Sequence, residues 1–481
     1  MRKKFIIIFS FLIILVFSFF FNLFSTEDND VILKQIKQII PNSAKTLLKE
    51  PIFKFYYEKK ELKIKNFQLK SQNKLLKDTL VYKNQVIDNV LDSDHYIYND
   101  NPYLIFKNEK EIVTTKNKFN LKLFTSPFIN KPIHPRALGS AFIEESQNHI
   151  YLSDSHGRFF YFKKTDLNEG LSRIDTKIIP TNLKDVISYE YFYNKYEYSI
   201  KDLLIHNKKI YLSFINEKEK DCFNTSILVA ELNRNFLNFE YFFNPIDCVK
   251  KNNDLGFFNP HISAGRIEII DDKNLVFSTG GFQYFGISQD IKNSLGKILK
   301  INIDTKNYET LSLGHRNVQG LEYNSKNNYI ISSEHGPIGG DEININLLNN
   351  FEPLNFGWPI SSYGNHYDGK EREDAPLYKS HTEYDFKEPI YYFDYEVVGS
   401  HGISAIEKFN EDEFFIGTLN GKVLYKISFN FEESSINDIE TYKINERIRD
   451  LKFSQKNKVM YLVLENTPAI GIFKNELQIN K

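Results

Sequence analysis

Tryptophan occurs once, methionine twice and cysteine twice in the 481 residues. Two cysteines, Cys222 and Cys248, exclude a disulfide scaffold. They also exclude any zinc site or iron–sulfur cluster that needs four thiolates from this chain. Neither sign of charge is in excess: the formal net charge is −1. Bulk electrostatic binding of nucleic acid needs a basic surplus, so that class of partner is set aside. Against those scarcities stand 42 Phe and 29 Tyr, with abundant Lys, Asn and Ile. That vocabulary reads as the composition of an AT-rich genome and not as a functional signal. The length allows about three ordinary domains, or one large repeat domain with an appendage.

The near-zero charge is a sum of unequal parts. Residues 31–120 hold 17 Lys and 10 acidic groups, whereas residues 121–481 carry −8. Ahead of both, Arg2, Lys3 and Lys4 precede an uncharged run from Phe5 to Phe24. Twenty helical residues span about 30 Å, the thickness of a bilayer's hydrocarbon core. The basic flank should stay cytoplasmic and the rest be exported. The run is either an uncleaved anchor or a cleaved signal, and Asn22-Leu23-Phe24-Ser25 lacks a small-residue cleavage pattern. The expected location is a bacterial periplasm, anchored at the inner membrane, or secreted if the segment is cleaved. A Cys222–Cys248 disulfide is permitted there, two free buried cysteines being the alternative. We divide the chain into an anchor or signal (1–25), a basic membrane-proximal extension (26–125) and a large repeat domain (126–481).

The repeat is a polar turn followed by a short apolar stretch. Its copies begin at Ile150, Ile210, Leu275, Tyr329, Phe414 and Val459. Each is preceded by another strand-like stretch, and several are followed by a third, as in Gly296-Lys-Ile-Leu-Lys-Ile. Short β-rich strands recurring about every 60 residues point to radial blades closing a ring. Six copies predict an all-β, six-bladed β-propeller. In such a ring each blade's first strand lines the central channel. Reading back from the copies brings Arg136, Glu197–Ser199, His261, Arg316 with Asn317, His401, and Arg447 with Arg449 to one mouth. Packing has no need of converging cations, which repel at close range. An anionic ligand would offset that repulsion, and arginine forks suit carboxylates.

Several segments occur in a fixed order. They are Pro260-His-Ile-Ser-Ala-Gly-Arg266, Gly314-His-Arg-Asn-Val-Gln-Gly-Leu321, Ser333-Glu-His-Gly-Pro-Ile-Gly-Gly-Asp-Glu342, Asn355-Phe-Gly-Trp-Pro359 and Arg447-Ile-Arg-Asp450. Together they resemble the soluble pyrroloquinoline-quinone (PQQ) dependent glucose and aldose sugar dehydrogenases, the glucose/sorbosone dehydrogenase family. The resemblance is tight over 260–365, looser over 390–475 and absent over 1–125. It implies a six-bladed propeller that oxidises a sugar to its lactone with PQQ and Ca2+. It implies that His261 is the base for the sugar C1 hydroxyl, and that Arg316 and Asn317 contact the quinone. Arg447 and Arg449 would hold its carboxylates. The backbone carbonyls of Gly336 and Pro337 would ligate Ca2+, and Glu342, with Glu388, a second ion; Asp341 lies in the same loop.

The sequence also departs from the family. Gly281 stands where an acidic partner of the histidine is expected. Asn420 replaces a lysine, with Lys422 two residues on, and Tyr395 and Val397 fall at a Trp-x-Thr segment. Two readings follow: an anchored periplasmic sugar oxidoreductase passing electrons to an unidentified acceptor, or a ligand-binding propeller that has lost redox chemistry. A Ca2+-dependent lactonase-type propeller would need carboxylates where this mouth offers bases.

Overall fold

A computed structural model describes residues 103–475, apart from 127–128, 130–131, 168–170 and 395–399. The expected anchor and most of the basic extension lie outside the described residues, as do Tyr395 and Val397. Six sheets, four to six strands each, follow one another along the chain. Their first strands are Ala141–Glu145, Ile200–His206, Ala264–Asp271, Val318–Asn324, Ile403–Lys408 and Ile448–Ser454. All six apolar copies form second strands, each paired antiparallel with the first. Their alternate residues pack between neighbouring sheets: Leu212 and Phe214 toward Phe142 and Phe159, Phe415 toward Leu451 and Phe453. Neighbouring blades thus bury one another's faces, as radial packing requires.

The boundary drawn at 125/126 needs correction. Strand Lys118–Thr125 pairs with the last strand, Ala469–Asn475, and Tyr103–Val113 pairs with Lys118–Thr125. The sixth blade is therefore completed by residues that the charge division assigned to the extension. Closing the ring with both ends of the domain removes an exposed strand edge. Leu121 and Leu123 show why: both are buried among Leu462, Ala469 and Phe473. The charge count missed this because the lysines of these strands sit on their outward faces.

Five of the six first strands carry a register break near their start. The unpaired residues include Lys201, Gly265 with Arg266, Gln319 and Arg449. A bulge bends the strand and re-aims its side chain. Repeated around the ring, it sends polar side chains into the channel. Lower down, Arg266 Nη1 meets Asp202 at 2.9 Å and Asp450 at 2.7 Å, while its Nε donates to the Gln319 carbonyl at 2.6 Å. One guanidinium thereby ties four blades together. Toward the other end Lys452 Nζ lies 2.9 Å from Glu144 and 3.8 Å from Glu407.

Cys222 and Cys248 form a disulfide in the second blade, 26 residues apart in sequence. Loop-closure entropy for that separation is about 3–4 kcal/mol. Reduction should lower the unfolding midpoint of the full-length protein, and Cys222→Ser should reproduce the loss without reductant; denaturant titration with and without reductant checks both.

Candidate active site at the cationic channel mouth

His261, Arg316, Arg447 and Arg449 come from loops and strand starts of the third, fourth and sixth blades. Arg447 and Arg449 act electrostatically on His261; Arg316 and Arg449 act on His335; and Asn317, next to Arg316, donates to the His261 carbonyl. Burial, then Lys201, Arg449 and Arg447, push the His261 imidazole down to about 3. Burial, then Arg316 and Arg449, do the same to His335. His134, whose ring centroid lies 5.5 Å from that of His261, falls to about 2 through burial and Arg447. Three imidazoles are thus held neutral, by burial first and by neighbouring cations second.

Only partial neutralisation comes from the chain. Arg447 Nε and Arg449 Nε donate to the two oxygens of one buried carboxylate, Glu465, at 2.8 and 2.7 Å. Burial opposes ionisation of Glu465, but Arg449 and Arg447 outweigh it and hold the acid at about 2. Arg136 Nε is buried without a hydrogen-bond partner among the described residues. Arg316 donates from Nη1 to the carbonyls of His335 at 3.0 Å and Gly336 at 2.8 Å, and lies 5.4 Å over the Trp358 ring. Two arginines sharing one carboxylate leave a net positive charge of the kind that carboxylate groups offset.

Beside Arg316 opens a cavity of about 140 Å³ lined by Phe257, Phe285, Trp358, Pro337 and Arg372. Its Trp358 wall belongs to the long segment between the third and fourth strands of blade four. That segment explains the irregular spacing of the repeat there.

The profile of the family described as Glucose / Sorbosone dehydrogenase matches residues 199–471. The chain belongs to the glucose/sorbosone dehydrogenase family. It is 31% identical over 151 residues to an aldose sugar dehydrogenase of Escherichia coli, covering 30% of this chain and 38% of that protein. It is 27% identical over 196 residues to an uncharacterised protein of Synechocystis, covering 37% and 45%. The matched region is therefore less than half the length of either curated relative. Among solved structures, the soluble aldose sugar dehydrogenase of E. coli in its apo form superposes with a TM-score of 0.56 at 18% identity, over 74% of this chain and 99% of that one. A glucose dehydrogenase superposes at 0.55 with 20% identity, over 70% and 95%. At those identities the structures establish the six-bladed fold.

Other family assignments fall out differently. Asn317 is a clamp: its amide donates to the His261 carbonyl at 3.1 Å and its oxygen accepts from Ala264 N at 2.9 Å. It fixes the loop that carries the histidine. His401, read as a mouth residue, is instead 2.9 Å from the Tyr425 hydroxyl and stacked on Phe393. Asn420 is exposed, donates to the Ser400 carbonyl at 2.6 Å, and Lys422 is exposed in the adjacent turn. Asp341 accepts from the backbone N–H groups of Gly336, Gly402 and Ile403 and shapes the loop. Glu388 is engaged by Tyr363 and Thr382. Glu342 is buried; burial and the neighbouring carboxylate of Glu334 raise it well above the usual carboxylate range. Gly281 lies against Ile287 and Ser288 and supplies no carboxylate.

Sequence reasoning missed Lys201, His134 and Glu465. Glu465 had a signal, since two adjacent buried arginines require a counter-ion. Lys201 had none, because a lysine inside Ser-Ile-Lys-Asp reads as a solvent-facing strand position.

Proposed function

We propose that this chain is a membrane-anchored periplasmic oxidoreductase that oxidises an aldose or related sugar at C1 to its lactone, with PQQ as hydride acceptor. The convergence of His261, Arg316, Arg447 and Arg449 on one positively charged mouth carries this reading. The cationic surplus suits PQQ, a tricarboxylate quinone: Arg447 and Arg449 would hold its carboxylates, and Arg316 would face the quinone. When bound, PQQ supplies a two-electron acceptor. His261 is already neutral across physiological pH, so its imidazole is free to take the C1 hydroxyl proton. An anion in the mouth offsets the part of the His261 lowering that Lys201, Arg449 and Arg447 cause, while burial remains. The aromatic cavity beside Arg316 suits a sugar ring, with Trp358 and Phe285 as apolar walls.

Calcium would draw on the carbonyls of Gly336 and Pro337. Gly336 O already accepts from Arg316, leaving one lone pair. Among the described residues no group of three or more His, Cys, Asp or Glu side chains is placed to hold a metal. The balancing negative charge would come from the bound anion, and we assign calcium no step.

The test is reconstitution of the full-length chain with PQQ and Ca2+, following sugar-dependent reduction of an artificial dye. Turnover is expected; no PQQ binding at micromolar cofactor would sink the dehydrogenase reading. A second reading, a ligand-binding propeller without redox chemistry, is favoured by one observation. His261 has cations around it, and Gly281 gives it no carboxylate partner to orient the ring. Tight PQQ binding without turnover on any aldose would select that reading.

A further inference from the structure

Lys201 is the unpaired residue of the bulge that opens the second blade's first strand. The corresponding bulges place Gln319 and Arg449 in the channel, where Arg449 Nη1 and Gln319 Oε1 are 3.4 Å apart. Across from Lys201 the third blade has Gly265 at the same level. A Cβ there would stand 2.4 Å from Lys201 Cβ, so the missing side chain is what leaves room for the lysine stem. No hydrogen-bond or ion-pair partner among the described residues engages the Lys201 ammonium. The charged and titratable groups that act on it come from three other directions: Arg449 and Glu465 of the sixth blade, Glu197 just before its own strand, and His261 before the third blade.

We propose that Lys201 is an anion-binding residue of the mouth, taking a carboxylate of the bound ligand from the second blade as Arg447 and Arg449 do from the sixth. The inference rests on the mouth being a polycarboxylate site and adds the residue that makes binding there proton-linked. Burial and then Arg449 lower the Lys201 amine to about 7 in the free protein. A carboxylate brought beside it favours the charged form and raises that value. Ligand binding therefore takes up a proton above pH 7, and affinity falls as pH rises through 7. His134, His261 and His335 stay neutral throughout this range, so they do not contribute to the slope.

Isothermal titration of the full-length chain at pH 6 to 9 tests this, with PQQ and with benzene-1,3,5-tricarboxylate as a redox-inert probe. The wild-type Kd should rise by up to about tenfold per pH unit above 7. Lys201→Met should bind about 10- to 100-fold more weakly at pH 6 and show no slope. Lys201→Arg should keep the affinity and also lose the slope, because guanidinium stays charged. If Lys201→Met does not fold, judged by its melting transition, the Lys201→Arg slope decides alone. A wild-type Kd that is flat with pH, or a Lys201→Met variant that binds like wild type, overturns the proposal while leaving the PQQ reading intact. Binding of the tricarboxylate but not PQQ, with the expected slope, supports Lys201 and overturns the PQQ reading. Binding of neither probe overturns both.

Discussion

Replacing His261 with alanine should cut sugar-dependent turnover by about 10²- to 10⁴-fold, the usual worth of a positioned general base, while PQQ affinity changes only a few-fold. The separation follows from what holds each group. The cofactor-facing charge comes from Arg316, Arg447 and Arg449, and none of them bonds to the His261 ring. Arg447 and Arg449 are fixed by Glu465, and Arg316 by the carbonyls of His335 and Gly336. The His261 loop is fixed independently through its backbone: Asn317 donates to its carbonyl, and its own N–H donates to Asn259 at 3.0 Å. Removing the imidazole therefore removes the proton acceptor and leaves the anion site standing. Turnover and cofactor titration measured on the same preparation check the result. Loss of both together would make the histidine a structural residue. With His261 held at about 3 in the free protein, its ring should show no titration near the ordinary imidazole value when followed by NMR between about pH 5 and 8.

Arg266→Met should be the most destabilising single change in the channel, by about 3–5 kcal/mol, because it leaves two buried carboxylates without their shared cation. Arg266 is 6% exposed, and Asp202 and Asp450 are 6% and 3% exposed, so water does not replace the lost partner. The melting temperature should fall on the order of 5–10 °C. The deficit carries a pH signature. Burial already raises Asp202 to about 7 despite Arg266. In the variant that acid keeps its proton in the folded state, while the unfolded chain releases it above about pH 4. Stability is then lost as pH rises between those two values. The gap between variant and wild type should accordingly be wider at pH 8 than at pH 5. Equal gaps at both would mean that packing, and not charge, supplies the loss. Thermal melts of both proteins at the two pH values distinguish these outcomes.

The family motifs were legible in the chain because they are local. Gly314–Leu321 and Ser333–Glu342 each place their residues within one strand and its adjoining turn, where spacing in sequence is spacing in space. Even there, residue type did not fix role. His315, inside the densest motif, is fully buried between Ser312 and Glu334, 2.7 Å from each. It positions Glu334, which accepts the Arg316 backbone N–H, and so serves the site from behind. Glu388, which the family resemblance set beside Glu342 at a second ion, and Asp341 in the Glu342 loop spend their oxygens on backbone and hydroxyl donors.

The amino-acid sequence alone determined the number of blades, the order of their strands and the local motifs that carry His261, Arg316, Arg447 and Arg449. Those depend on apolar periodicity and on neighbours close along the chain. Tertiary structure decided where the propeller begins, because Lys118–Thr125 finds its partner more than 340 residues away at Ala469–Asn475. It also decided which charges meet. A one-residue bulge turns Lys201 into the channel, a missing side chain at Gly265 makes room for it, and Glu465 reaches Arg447 and Arg449 from the neighbouring strand of their blade. A side chain's electrostatic role is set by distances across the ring, and linear order does not encode those until the ring has closed.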